Sequence, residues 1–311
     1  MGEIIENSAV SYAPVVLFTY KRLSTLEQTI QALQANSLAK DTELYIFSDG
    51  PKYKEDEAIV NNIRSYIKSV AGFKKVQVFE ATVNKGLASS IIDGVTQIMQ
   101  FSETVIVLED DLLTTPNFLS FMNACLAKYK TMEQVFSVSA YSFNLGVVSG
   151  YLDDAYLLNR GWSWGWATWK GRWKTIDWEV KDYPSFVKDA NRKRGFANGG
   201  SDLNKMLEKQ MNGKLDSWAI RWFYHQFKVG GLTVYPILSK INNNGFDQDA
   251  THTTGSSTRY LPMMDTSYEN EFRLPELVKV SVEYQDRFKQ KMGLKARIIS
   301  KIETLLKQIF S

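Results

Sequence analysis

One cysteine, Cys125, stands in a chain of 311 residues, which excludes an internal disulfide and leaves no partner spacing for a zinc cluster. Its neighbours Phe121, Leu126 and Tyr129 make a buried structural thiol the expectation, and a reducing, cytoplasmic setting fits. No apolar run approaches the roughly 20 residues that span a bilayer. Met1 to Pro14 show neither a basic nor an apolar leader segment, so no signal peptide is expected. Lysine and arginine number 37 against 34 acids, a formal charge of +3 with no long basic run, so nucleic acid is not implied as a partner. The phosphate fingerprints GxGxxG and GxxxxGK[ST] are both missing after the first expected strand, which argues against dinucleotide and P-loop sites. With 44% hydrophobic residues the chain can bury a full core, in one large domain or two ordinary ones.

The first 130 residues alternate between strand and helix patterns. Pro14 to Tyr20, Glu43 to Ser48, Val76 to Glu80 and the run ending at Glu109 read as four strands. Between them, Leu26, Ile30 and Leu33, then Ile59, Ile63, Tyr66, Ile67 and Val70, then Leu87, Ile91, Val95 and Ile98 repeat at helical spacing. Ser24-Thr-Leu-Glu27 has the form of a capping box, and Thr115-Pro116 is expected to open a fourth helix running to about Lys130. Such alternation predicts an α/β fold with a parallel sheet covered by helices.

The stretch Thr104-Val-Ile-Val-Leu-Glu-Asp-Asp-Leu112 carries the strongest chemical signal. Its apolar part is β-branched and too short for a helix, so it reads as a buried parallel strand. Glu109, Asp110 and Asp111 cannot lie unpaired in that core, so they emerge at the strand's carboxyl end, where open α/β sheets bind ligands. Clustered carboxylates without nearby Cys or His are hard oxygen ligands suited to Mg2+ or Mn2+ shared with substrate phosphates. The rival reading is a solvated acidic turn. The other strand ends carry Thr19 to Arg22, Asp49, and Asn84 with Lys85, which would line the same crevice.

The second half changes character, for all eight tryptophans fall between Trp162 and Trp222. In Gly161-Trp-Ser-Trp-Gly-Trp-Ala-Thr-Trp169 the alternation predicts Trp162, Trp164 and Trp166 on one face of an extended segment, either stacking on sugars or bases or filling an aromatic core. Asp216 precedes Ser217 and Trp218, and an acid in an aromatic setting suits a general base, although it would equally cap the helix from Ser217 to Lys228. Val135 to Ala140 and Leu232 to Leu238 read as further strands. Asn242 to about Thr258 is a long polar loop with His252 placed to reach a metal or phosphate, or simply exposed. The tail from Lys295 to Phe310 is a basic amphipathic helix, fit for an anionic membrane surface or for packing on protein.

These segments together resemble a GT-A-fold glycosyltransferase over roughly residues 14 to 260. Glu109-Asp-Asp111 resembles the metal motif of N-acetylglucosaminyltransferase I and its bacterial relatives, with Glu109 where the common DxD pattern has its first Asp. Asn84-Lys-Gly-Leu-Ala88 resembles the Asn-x-Gly-x-Ala turn of family 2 enzymes. Gly161 to Trp169, Asp216-Ser-Trp218 and Asn244-Gly-Phe-Asp247 with His252 look like segments of bacterial sugar transferases of surface polysaccharide and lipopolysaccharide synthesis. The resemblance implies a Rossmann-like, mostly parallel sheet flanked by helices, an aromatic-rich acceptor half and a C-terminal amphipathic helix. It divides the chain into a transferase domain over 1–275, with a nucleotide-sugar half at 14–135 and an acceptor half at 136–275, and a tail at 276–311.

It further implies that Asp111, together with His252, ligates Mn2+ or Mg2+ on the donor's diphosphate. Thr19, Arg22, Asp49, Lys85, Glu109 and Asp110 would hold the nucleotide sugar, and Trp162, Trp164, Trp166 and Trp218 the acceptor. Asp216 would be the base of an inverting transfer, from a donor that is UDP-linked in this reading, to a hydroxyl of a glycan or lipid-linked saccharide. The setting would be cytoplasmic, with peripheral contact at the inner membrane through 295–311. Two rival functions remain: a sugar-1-phosphate nucleotidyltransferase, which would want a Gly-rich loop where Thr19-Tyr-Lys-Arg-Leu23 stands, and a non-catalytic carbohydrate-binding protein, which leaves the acidic strand end unexplained.

Overall fold

The computed structural model describes residues 11–245, 260–293, 296, 298 and 299. Four parallel strands, β1 (Val15–Thr19), β2 (Glu43–Ser48), β3 (Lys75–Glu80) and β4 (Thr104–Glu109), are linked by α1 (Leu23–Gln34), α2 (Glu57–Lys68) and α3 (Leu87–Ile98). After β4 come β5 (Leu112–Thr114), α4 (Phe118–Lys128), β6 (Val135–Ser139), β7 (Ala155–Leu158) and β8 (Trp166–Trp169). Helices α5 (Lys170–Trp173), α6 (Tyr183–Phe186), α7 (Ala190–Ala197), α8 (Leu203–Met211) and α9 (Trp218–Lys228) follow, then β9 (Leu232–Pro236), β10 (Ile241–Asn243) and α10 (Val282–Met292).

Eight strands form one sheet in the order β3-β2-β1-β4-β8-β6-β9-β7, and β5 with β10 makes a separate ribbon. The β3-to-β4 part is wholly parallel. Strand β8 then lies antiparallel between β4 and β6, with Val107 opposite Trp166, and β7 lies antiparallel on β9. The sheet therefore runs unbroken across residue 135.

Helices cover both faces, so the central strands are buried on both sides and read as continuous apolar runs. Val15 and Leu17 point to a core with Leu26 and Ile30 of α1, Ile63 of α2 and Phe118 of α4. Val16 and Phe18 point to a second core with Ile91 and Val95 of α3 and Trp218 and Trp222 of α9. Full burial of each such aliphatic side chain contributes about 1.5–3 kcal/mol. Cys125 is buried in the first core, where burial pushes its thiol pKa up. At the sheet's end the 273–281 segment runs beside β7: Asp154 N donates to Arg273 O at 2.7 Å and Ser281 N to Leu157 O at 3.0 Å.

Several local expectations are corrected. The first helix forms no capping box: it begins at Leu23 behind Arg22, without a side-chain cap. Thr115 and Pro116 lie before α4 in a turn closed by Phe118 N on Thr115 O, because Thr115 is drawn to the backbone of Lys240 instead. Ser217, not Asp216, caps α9, accepting from Ile220 N at 3.3 Å. Trp162, Trp164 and Trp166 do not share a face. Gly165 between them takes φ +58°, which breaks the extended alternation and sends Trp166 to the second core while Trp162 stays in the first.

Candidate active site

The site is built at the carboxyl ends of β1, β2 and β4, which neighbour one another in parallel register. Asp110 follows β4 directly and is 6% exposed. Its Oδ2 accepts from Thr19 Oγ1 at 2.9 Å and from Tyr20 N at 3.3 Å, so the end of β1 holds it in place. Arg22 Nη2 donates to Asp110 Oδ1 at 2.9 Å and to Asp111 Oδ2 at 2.6 Å, bridging the two carboxylates. Burial works against the guanidinium's charge, yet Asp110 and Asp111 raise its pKa above its ordinary value. Burial pushes Asp110 up, with Arg22 pulling the other way, and burial with the charges of Asp111 and Asp110 pushes Glu109 up. Glu109 itself takes no side-chain hydrogen bond among the described residues.

Asp49 directly follows β2 and serves as a latch. Its carboxylate accepts from Gly50 N at 2.8 Å, Lys85 N at 2.9 Å, Gly86 N at 3.0 Å and Asn84 Nδ2 at 3.0 Å. The Asn84–Gly86 turn that opens α3 is thus fastened to the second strand. Gly50 makes this possible, since a Cβ there would stand 2.4 Å from the carbonyl carbon of Val83. Lys85 itself extends along α3 to pair with Asp93 at 3.0 Å.

A feature the sequence reading missed is the β5–β10 ribbon, which places Asn243 opposite Leu112. Asn244 N donates to Asp111 O at 2.8 Å, and a Cβ on Gly245 would lie 2.0 Å from Asp111 Oδ2. The only sequence signal was the resemblance of Asn244-Gly-Phe-Asp247, whose last two residues lie outside the described residues, as do His252 and most of the 295–311 tail.

Thr19, Arg22, Glu109, Asp110 and Asp111 are thus brought together, with Asp49 and Lys85 one strand away. The Asp216 side chain is 68% exposed and 3.4 Å from Arg221 Nη2, so the aromatic enclosure expected for it is not formed. Trp162, Trp166 and Trp218 are 7%, 1% and 3% exposed, which gives their ring faces to the core rather than to a ligand. Trp166 packs on Trp222 at 4.4 Å and Trp218 at 5.0 Å between ring centres. Only Trp164 of the four expected acceptor residues is half-buried, edge-on to Tyr141 at 4.7 Å.

Among the described residues no three Asp, Glu, His or Cys side chains converge as a complete metal site. Asp110 and Asp111 offer hard oxygens already bridged by a cation, Arg22, and Gly245, lacking a Cβ, packs directly against Asp111. That donor set fits a hard divalent ion completing its shell with phosphate and water, as Mg2+ does, and Mn2+ takes the same oxygen ligands.

A model of the family described as glycosyl transferase family 2 matches residues 15–185, more than half of the chain. Among solved structures, a mannosyltransferase, PcManGT from Pyrobaculum calidifontis in complex with GDP-Man and Mn2+, is similar at 17% identity over 43% of this chain and 37% of that one, with a TM-score of 0.30. TarS of S. aureus is similar at 13% identity over 54% of this chain and 30% of that one, with a TM-score of 0.37. The matched regions thus span about a third of these two structures' lengths. No curated protein matches the chain.

Proposed function

Since the chain belongs to glycosyl transferase family 2 and is a glycosyltransferase of GT-A-type fold, we propose that it transfers a sugar with inversion from a nucleoside diphosphate donor, UDP-linked, to a hydroxyl of a glycan or lipid-linked saccharide. The observation that carries this reading is the Arg22-bridged Asp110 and Asp111 pair at the end of β4.

In this reading Thr19, Arg22, Asp49, Glu109 and Asp110 form the donor pocket, with Lys85 at its side. Asp111 would hold Mn2+ or Mg2+ with Asp110 beside it. The bound ion supplies charge stabilisation to the departing diphosphate. Arg22 adds a second positive charge, and its partners Asp110 and Asp111 fix where that charge stands. Charge that grows as the diphosphate leaves is stabilised most at the transition state, which accelerates the step itself. Asp216 accepts the proton of the acceptor hydroxyl, and its exposure leaves it within reach of a substrate arriving from solvent. One displacement needs no covalent nucleophile. His252 and a membrane-facing tail belong to the same proposal, as does the division into donor and acceptor halves at 135. No helix among the described residues is long and apolar enough to cross a membrane.

Calorimetric titration of UDP and UDP-sugars with Mn2+, repeated in EDTA, tests the reading. The wild-type chain is expected to bind UDP only with the metal, and Asp111→Ala to lose that binding. Asp216→Asn is expected to bind donor normally while its donor turnover falls by roughly 100-fold or more, the range of a lost general base. Binding that ignores EDTA removes the metal role, and full turnover in Asp216→Asn removes the base.

A further inference from the structure

A groove of about 730 Å³ lies between α3 and the segment that follows β8. Ile92, Asp93 and Gln97 of α3, and Gln100 just past its end, face Trp173 and Trp178 across it. Trp173 is 3% exposed and fixed, its Nε1 donating to Thr96 Oγ1 at 2.9 Å. Trp178 is half-buried and meets Trp173 edge-on at 4.9 Å.

One end of this groove is tied to the residues proposed for catalysis. Asp93 pairs with Lys85, whose own backbone is latched by Asp49. On the other wall, Arg221 Nη1 donates to Trp178 O at 3.5 Å while its Nη2 stands 3.4 Å from Asp216. The groove thus connects through single residues to both the donor-side lysine and the base.

Its chemistry selects the occupant. The half-buried indole of Trp178, seated against the packed Trp173, matches the apolar face of a pyranose ring, and Gln97, Gln100 and Thr96 offer neutral donors and acceptors to hydroxyls. Asp93 already has its cation, and no cluster of Lys and Arg lines the walls, as a polyphosphate would require. The polar rim is equally unsuited to a lipid chain or an apolar helix.

We propose that this groove binds the saccharide chain of the acceptor, holding the sugars behind the reacting hydroxyl as that hydroxyl is presented to Asp216. The proposal rests on the reading of Asp216 as base, but its test does not depend on turnover. The full chain is applied to a printed set of bacterial surface oligosaccharides of graded length. Wild-type protein is expected to be retained, more strongly on longer chains. Trp178→Ala is expected to bind about three- to tenfold more weakly, the loss of one aromatic contact. Gln97→Ala with Gln100→Ala, exposed positions that leave the tryptophans packed, is expected to weaken binding to a similar extent. Both variants should keep wild-type UDP binding with Mn2+. Failure of the wild-type chain to bind any oligosaccharide, or equal binding by both variants, overturns the groove assignment. Loss of nucleotide binding alone would instead overturn the donor site and leave the groove standing.

Discussion

Lys240 and Asp265 form an ion pair whose side chains are only 5% and 3% exposed. Asp265 also accepts from Asn117 Nδ2 at 2.9 Å and from Ser267 N and Oγ at 2.8 and 2.7 Å. Burial raises the Asp265 pKa, but these bonds, led by Lys240, outweigh it and hold the group down to about 2. Burial lowers the Lys240 pKa despite Asp265, and in acid only Asp265 titrates. Its unfolded pKa lies near ~3.9, so this stabilisation is complete above about pH 4 and is lost as pH falls towards 2. Replacing Lys240 by Met leaves a buried carboxylate without its cation, which should cost about 3–5 kcal/mol at pH 7. Denaturant unfolding should show the gap to wild type narrowing below about pH 4, where the orphaned acid can protonate; a gap independent of pH would refute this account. Neither residue stood out in the sequence. A lone lysine and a lone aspartate 25 residues apart carry no periodicity, and only the fold makes them neighbours.

The β5–β10 ribbon shows the same limit for elements. Strands β1, β2 and β4 were legible because two-sided burial writes them as apolar runs bounded by turns, while the half-buried edge strand β3 showed as a short apolar stretch, and the acids after β4 stood out against that background. The ribbon strands have three residues each, too few for any period to register. Yet they bring Gly245 against Asp111. An alanine there would place its Cβ 2.0 Å from Asp111 Oδ2, so the carboxylate or the ribbon must shift. Gly245→Ala should therefore weaken Mn2+-dependent UDP binding by about tenfold or more, ~1.4 kcal/mol, with the thermal midpoint nearly kept. Unchanged calorimetric affinity would show that the ribbon does not position Asp111. The tryptophan segment was half legible: its extended, aromatic character was visible, but the turn at Gly165 that splits its faces was not.

At the scale of the whole molecule, the donor and acceptor halves expected on either side of residue 135 share one continuous sheet. Trp166, from the later half, pairs with Val107 and fills the core beneath α3. A fragment ending at residue 135 would bare one edge of β4 and much of that core. It should show no cooperative unfolding transition by circular dichroism, whereas a sharp transition would establish the first half as an independent domain. The α/β class itself was legible from the alternation of periods; the antiparallel insertion of β8 was not, because nothing local distinguishes a strand's direction. One consequence concerns solubility. A sheet invites neighbours to add strands wherever an edge lies open, the first step towards fibrous precipitates. The strap at 273–281 runs over the open side of β7, bonding Leu157 O and Asp154 N, and at the opposite margin Lys75 and Glu80 stand exposed at the two ends of β3. The molecule therefore guards one border by partly covering it and the other with charge, an arrangement that works against the sheet recruiting copies of itself.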